Sequence, residues 1–144
     1  MAQTAERVEP FTSFNFLVEI DGLTRAAFHE CTGFNSSVDL IEHREGGAIT
    51  PMKLPGLAKY GNITLRRGVT DDRELYDWHL AALTGDVQRR SGSIVVLDRR
   101  GEERARWNFF DAWPQRWEGP ALNAEGTDVA IEVLELAVER LERT

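Results

Sequence analysis

Cysteine is almost absent from this 144-residue chain. Cys31 stands alone, which excludes an intrachain disulfide framework and any zinc cluster built on cysteines. Lysine is nearly as scarce, with Lys53 and Lys59 the only two among 17 basic residues. Arginine supplies the rest, a choice that suits cations at partly desolvated contacts but that a GC-rich genome produces equally. Positive charge is itself in deficit, at 17 basic against 24 acidic residues and a net charge of −7. That balance argues against a nucleic-acid-binding surface. The histidines, His29, His43 and His79, fall in three separate segments without ligand spacing, so no metal site is expected. No run of apolar residues approaches the ~18 needed for a membrane span. "MAQTAERVEP" lacks a basic stretch followed by an apolar one, so no secretory signal is read and assembly in the cytoplasm is expected.

The chain holds 42% hydrophobic and 28% charged residues, ordinary values for a globular protein. Its length suits one domain with a core that needs no staples. Residues 1–12 read as an N-terminal extension, flexible or interface-forming, ahead of a single domain over 13–144. In "FNFLVEIDG", Phe14, Phe16, Val18 and Ile20 alternate with polar positions before Asp21-Gly22, predicting a half-buried strand and a hairpin turn. "AAFHECTGF" and "SSVDLIEHREGG" predict two more strands. "GNITLRRG" predicts a fourth, with Ile63, Leu65 and Arg67 on one face and Asn62, Thr64 and Arg66 on the other. The period then changes. "TDDRELYDWHLAALTGD" places Leu75, Trp78, His79 and Ala82 on one stripe, predicting a helix over about 71–84. Asp71 is its expected N-cap, Glu74 completes a capping box, and Gly85 ends it. "SIVVLDRRGEERARWNFF" predicts a hairpin turning near Arg100-Gly101. "DAWPQRWEGPAL" continues as strand, with Pro114 pointing to an edge or a bulge. "DVAIEVLELAVERLERT" fits either helix or strand. The fold class expected is mainly β with one helix.

The stretch "GGAITPMKLPGLAKYG" obeys neither period. Residues 45–59 read as a long extended loop, uncommon in a compact domain unless functional or disordered, and too apolar for disorder. Ile49, Met52, Leu54 and Leu57 have no local core to enter, so an adjacent subunit is expected to cover them.

Motifs that carry chemistry are missing. There is no glycine-rich phosphate loop entering a helix and no nucleophile elbow. The carboxylates at Glu42, Glu45, Glu102 and Glu103 fall at strand ends and turns, where solvated charge is usual. Trp107, Trp113 and Trp117 could form a stacking platform for a sugar, although core or interface packing is the commoner use. A small soluble β-barrel binding module, with carbohydrate as the candidate ligand and without self-assembly into a polymer, is the alternative reading that follows. A non-enzyme without cofactor is expected.

Three blocks together are specific: "FNFLVEIDG" with "ECTGF", then "HREGG" with "KLPGLAKYGNITLRRGVTDDRELYDW", then "DAWPQRWEGPALNA" with "VAIEVLEL". Over roughly residues 13–141 the chain resembles the T4-like phage tail tube protein family, which includes inner tube proteins of phage-tail-like contractile injection systems. The resemblance implies a β-barrel or sandwich with one flanking helix and a strand over 128–140. It implies hexameric rings stacked into a hollow conduit for protein cargo or DNA. A contractile sheath, baseplate hub and spike, and terminator proteins are the implied partners. No membrane insertion by this subunit is expected. The particle implied is a phage tail or a phage-tail-like assembly, with extracellular release as one outcome. On this reading Asn62, Thr64 and Arg66 are candidate lumen-facing residues, and Asp72, Arg73 and Asp77 a candidate sheath-facing helix surface.

Overall fold

The computed structural model describes residues 9–12, 15–23 and 27–144; Phe14, Ala26 and residues 1–8 of the extension lie outside them. Among the described residues nine strands and one helix follow in order: β1 Phe16–Ile20, β2 Glu30–Thr32, β3 Ser36–His43, β4 Met52–Tyr60, β5 Ile63–Gly68, α1 Glu74–Leu83, β6 Arg90–Leu97, β7 Glu103–Glu118, β8 Ile131–Ala137 and β9 Arg140–Arg143. The mainly β expectation with one helix holds.

Seven strands form one sheet in the order β1-β6-β7-β8-β5-β2, with β9 pairing the free side of β7. Strand β7 is the spine. Its first part, through Ala112, pairs with β6, and its second, from Trp113, pairs with β8. Between the parts Asp111 sits at φ 54°, and its N–H donates to Ser91 Oγ at 3.3 Å. This left-handed residue bends the sheet, as bulges at barrel corners do. The register also slips between Pro114 and Arg116, so the bulge expected at Pro114 is present.

The bend folds β1-β6-β7 over β8-β5-β2, and their facing side chains make the core. Val18, Ile20, Ile94 and Phe109 from one side meet Ile63, Leu65, Leu134 and Leu136 from the other. Gly92 is required by this packing: a side chain there would run into Glu19 O and the Phe109 ring. Arg67 shares the inward face and is buried. It donates to Glu132 Oε1 at 2.8 Å and to the Asp72 carbonyl at 3.1 Å, tying β5, β8 and the helix entry together. A buried arginine is tolerable only with such partners.

Helix α1 closes one end of the core through Leu75 and Trp78. Trp78 Nε1 donates to Gln88 O at 2.6 Å, and His79 Nδ1 lies 3.1 Å from Pro114 O. Its start differs from expectation. The N-cap is Arg73, which makes no side-chain cap bond; just before it Asp72, rather than Asp71, meets the helix entry, its Oδ1 accepting the Glu74 N–H at 2.9 Å. The Asp71-Asp72 pair offers two candidates, and only the path of the chain after β5 selects one. Gly85 ends the helix as expected, at φ 95°. Its N–H bonds to Ala82 O, and the Asp86 N–H bonds to Ala81 O, the paired bonds of a Schellman stop.

Two further expectations are corrected. The turn at Asp21-Gly22 does not make a hairpin, because β1 pairs with β6. A turn signal announces a reversal but does not name the pairing partner. The stretch 45–59 is a loop only to Pro51; residues 52–60 are strand β4, paired with β3. Pro55 and Gly56 masked it, since proline reads as a strand breaker. The ladder is irregular just there, shifting register across the step from Val38 to Leu40, and proline is admitted at such sites. The C-terminal segment is strand, as the resemblance implied.

Candidate assembly surface

Strands β3 and β4 leave the main sheet and pair only with each other. They form an arm whose residues are nearly all exposed. An isolated two-stranded ribbon is marginal in water, yet this one carries apolar side chains outward. Ile49 at the tip is 92% exposed and Leu57 75%, with Met52 and Leu54 also open. The four residues singled out from sequence therefore share one element that has no core of its own.

Val38, Leu40 and Ile41 on β3 are equally open and were missed. Their strand was legible, but alternation normally hides one face, and nothing local reveals that neither face is covered. The turn between the strands is held by Arg44 Nε donating to Ala48 O at 3.0 Å and the Ala48 N–H to Glu45 O at 3.0 Å. Gly47, at φ 85°, permits that reversal.

Asn62, Thr64 and Arg66 lie together on the outward face of β5, each half-buried, while Ile63 and Leu65 are at 0% and 1% exposure. The face is a polar lattice. Asn62 Nδ2 donates to Gln115 Oε1 at 2.7 Å and Glu135 Oε1 at 3.0 Å, and Arg66 pairs with Glu30 at 3.4 Å. Arg116 bridges Glu118 at 2.7 Å and Glu135 at 3.8 Å. Charges of both signs are thus paired with one another on this face.

Asp72 and Arg73, just before α1, and Asp77 on it are exposed, with Arg73 and Asp77 paired at 3.4 Å. The outer face is less polar than expected. Leu80 and Leu83 are exposed on it, with Val87 exposed in the segment that follows, hidden from sequence because Leu80 and Leu83 could equally have pointed inward.

The tryptophans do not make a shared platform. Trp107 packs on Phe34 with centroids 5.4 Å apart and under Arg143. Trp117 meets Tyr76 edge-on at 5.1 Å and donates to Glu132 Oε2. A cleft of about 410 Å³ between β1 and β2 is lined by Phe16, Cys31, Phe34, Ile94 and Trp107. Burial pushes the Cys31 thiol up to about 12, so it is a small apolar wall residue rather than a nucleophile. Among the described residues no three His, Cys, Asp or Glu side chains gather in a metal-holding arrangement, and no helix is long and apolar enough to cross a membrane.

Comparison with known proteins finds a family model, T4-like virus tail tube protein gp19, matching residues 12–142. No curated protein matches. Among solved structures, a chain of the PVC extracellular contractile injection system, from its sheath–tube complex in the extended state, is 28% identical with a TM-score of 0.86. That likeness covers 94% of this chain and 91% of the other. A chain of the anti-feeding prophage baseplate, 6-fold symmetrised, is 25% identical with a TM-score of 0.88, over 96% and 97% of the two chains. A chain of the anti-feeding prophage tube-terminating cap is 25% identical with a TM-score of 0.90, over 99% and 95%.

Proposed function

The chain belongs to the T4-like virus tail tube protein gp19 family, and from that premise we propose that it forms hexameric rings that stack into a hollow conduit. As a tail tube protein of the contractile injection type, it has a structural rather than catalytic part to play. The 6-fold symmetry of the anti-feeding prophage baseplate supports six subunits per ring. The observation that carries the reading is the β3–β4 arm, which exposes Ile49, Met52, Leu54 and Leu57 away from any core. A monomer with such an arm would aggregate; in a closed ring and stack each arm is covered, and repetition multiplies its contribution by avidity.

The outward face of β5, with Asn62, Thr64 and Arg66, suits the lumen, since a conduit for protein or DNA should not present an apolar wall. Helix α1 suits the outside, where Asp72, Arg73 and Asp77 can meet a sheath through exchangeable polar contacts. The PVC sheath–tube complex, the prophage baseplate and the tube cap support sheath, baseplate and terminator proteins as partners. Assembly would take place in the cytoplasm, and the finished particle would act outside the cell that made it.

Negative-stain microscopy of the purified protein tests the reading. Rings or tubes with six-fold end views are expected; discrete small particles at all concentrations would exclude it.

A further inference from the structure

Resting on the reading of the α1 surface as sheath-facing, we propose that Arg67 is a positioning residue for sheath docking. From inside the subunit its guanidinium fixes the direction in which Asp72 and Arg73 are presented. At 7% exposure Arg67 is too buried to meet a sheath itself, and it acts through the residues it holds.

The arginine interrupts an apolar row. The inward residues of β5 are Ile63, Leu65 and Arg67, and across from them on β8 stand Leu136, Leu134 and Glu132. Two apolar pairs are followed by one ion pair, Arg67 Nε to Glu132 Oε1 at 2.8 Å. As a clamp between the strands the ion pair has no advantage. Desolvating both charges offsets most of their attraction, and an apolar pair of similar volume holds as well. What an apolar pair cannot do is bind the chain that leaves β5. Arg67 does so twice: Nη2 donates to the Asp72 carbonyl at 3.1 Å, and Nη1 lies 3.7 Å from Asp72 Oδ2.

That chain has little else to hold it. Val69 is pinned to the sheet by its N–H, which donates to Ala130 O at 2.9 Å. From there to α1 the bonds are local, Asp72 N–H to Thr70 Oγ1 at 3.2 Å and Arg73 to Asp77 at 3.4 Å. Among the described residues, Arg67 is the only group of the sheet that bonds to residues 70–73. Its planar fork keeps its donors in fixed relation, so Asp72 is oriented relative to Glu132 and hence to β8. Glu132 is itself fixed, its Oε2 accepting from Trp117 Nε1 at 3.1 Å. With Asp72 Oδ2 turned to Arg67, Oδ1 meets the Glu74 N–H at 2.9 Å. Arg73 follows directly and inherits that direction, and Asp77 is coupled to it through their pair. A binding surface is only as well placed as the groups behind it, and here one buried residue stands behind three exposed charges.

Two variants separate positioning from stability. Arg67→Lys keeps a charge opposite Glu132 but replaces the fork by a point donor that cannot hold both partners in one geometry. Arg67→Met with Glu132→Met removes both charges together and leaves neither buried alone. Both are expected to fold and to form tubes at the wild-type concentration. Wild-type tubes should recruit the particle's sheath protein in a sedimentation assay, and tubes of both variants should need more of it. A misplaced exposed ion pair loses at most ~5-fold in affinity, and repetition along the tube multiplies the loss, so at least ~10-fold more sheath protein is expected. Amide exchange at Glu74 should quicken in both variants, with that of Leu80 and Leu83 unchanged. Ile94→Val, a core change on β6 outside this network, is the control: it should lower the melting temperature and leave sheath binding at the wild-type level. Sheath binding at the wild-type concentration by either Arg67 variant overturns the proposal and leaves the sheath-facing reading intact. Loss of folding or of tubes in either overturns it too, since Arg67 then serves the fold as a whole. Wild-type tubes that recruit no sheath protein overturn the sheath-facing reading, and the proposal with it.

Discussion

Trp78 shows how much one residue can carry here: it fills the core end beneath α1 at 3% exposure and ties the helix to the chain leading into β6 through Gln88 O. Trp78→Ala should cost about 3–5 kcal/mol, as large-to-small core changes do, read as a shift in the denaturation midpoint. A variant melting like wild type would remove Trp78 from the core. Asp98 acts differently, at the β6–β7 turn. The Glu102 N–H holds its carboxyl below the ordinary 3.8, with the Arg104 guanidinium and the Arg100 N–H adding to the effect. A depressed carboxylate contributes stability that is complete above its unfolded-state value and lost as pH falls through the folded one. Wild type should therefore lose turn stability below about pH 4, and Asp98→Asn should show less acid dependence in that range when melting is followed against pH.

At the scale of elements, the arm and the helix contrast. Helix α1 buries a stripe and is anchored at both ends, so its existence depends on its own chain. The arm buries almost nothing within the described residues of its own chain. Replacing Leu54 and Leu57 by serine should leave a subunit with wild-type circular dichroism and a wild-type dilute melting curve, yet one that no longer forms tubes under the microscope. Burying two such side chains contributes roughly 3–6 kcal/mol per arm before ordering costs, enough to decide assembly. Normal tubes, or an unfolded variant, would show that the arm is not the connector.

For the whole molecule, assembly and stability become one quantity. Anything that binds only the folded state raises its apparent stability by mass action, and here the ligand is the protein itself. The melting temperature of wild type should climb with protein concentration, while that of the Leu54→Ser, Leu57→Ser variant should stay flat in the same differential scans. Equal concentration dependence in both would mean that the subunits are held together elsewhere. Net charge of −7 adds a like-sign repulsion that salt screens, so moderate salt should favour tubes of the wild type.

What the sequence determined by itself was everything that a local period can encode. The alternations of Phe16–Ile20 and Ile63–Arg67, the helical stripe of Leu75, Trp78 and His79, and the stop at Gly85 are all readable because a strand or helix period is carried by residues consecutive in the chain. The three blocks that resemble the tail tube family placed the C-terminal strand, which periodicity alone left undecided. Only the tertiary structure decided the rest. It paired β1 with β6 across about half of the chain, recovered β4 from a proline-bearing stretch, and placed the helix N-cap at Arg73 rather than Asp71. It also showed that β3 and β4 stand clear of the core, so that Val38, Leu40 and Ile41 are exposed along with Ile49. Burial depends on what lies across from a residue, and a strand's own pattern cannot report a face that no part of the same chain covers.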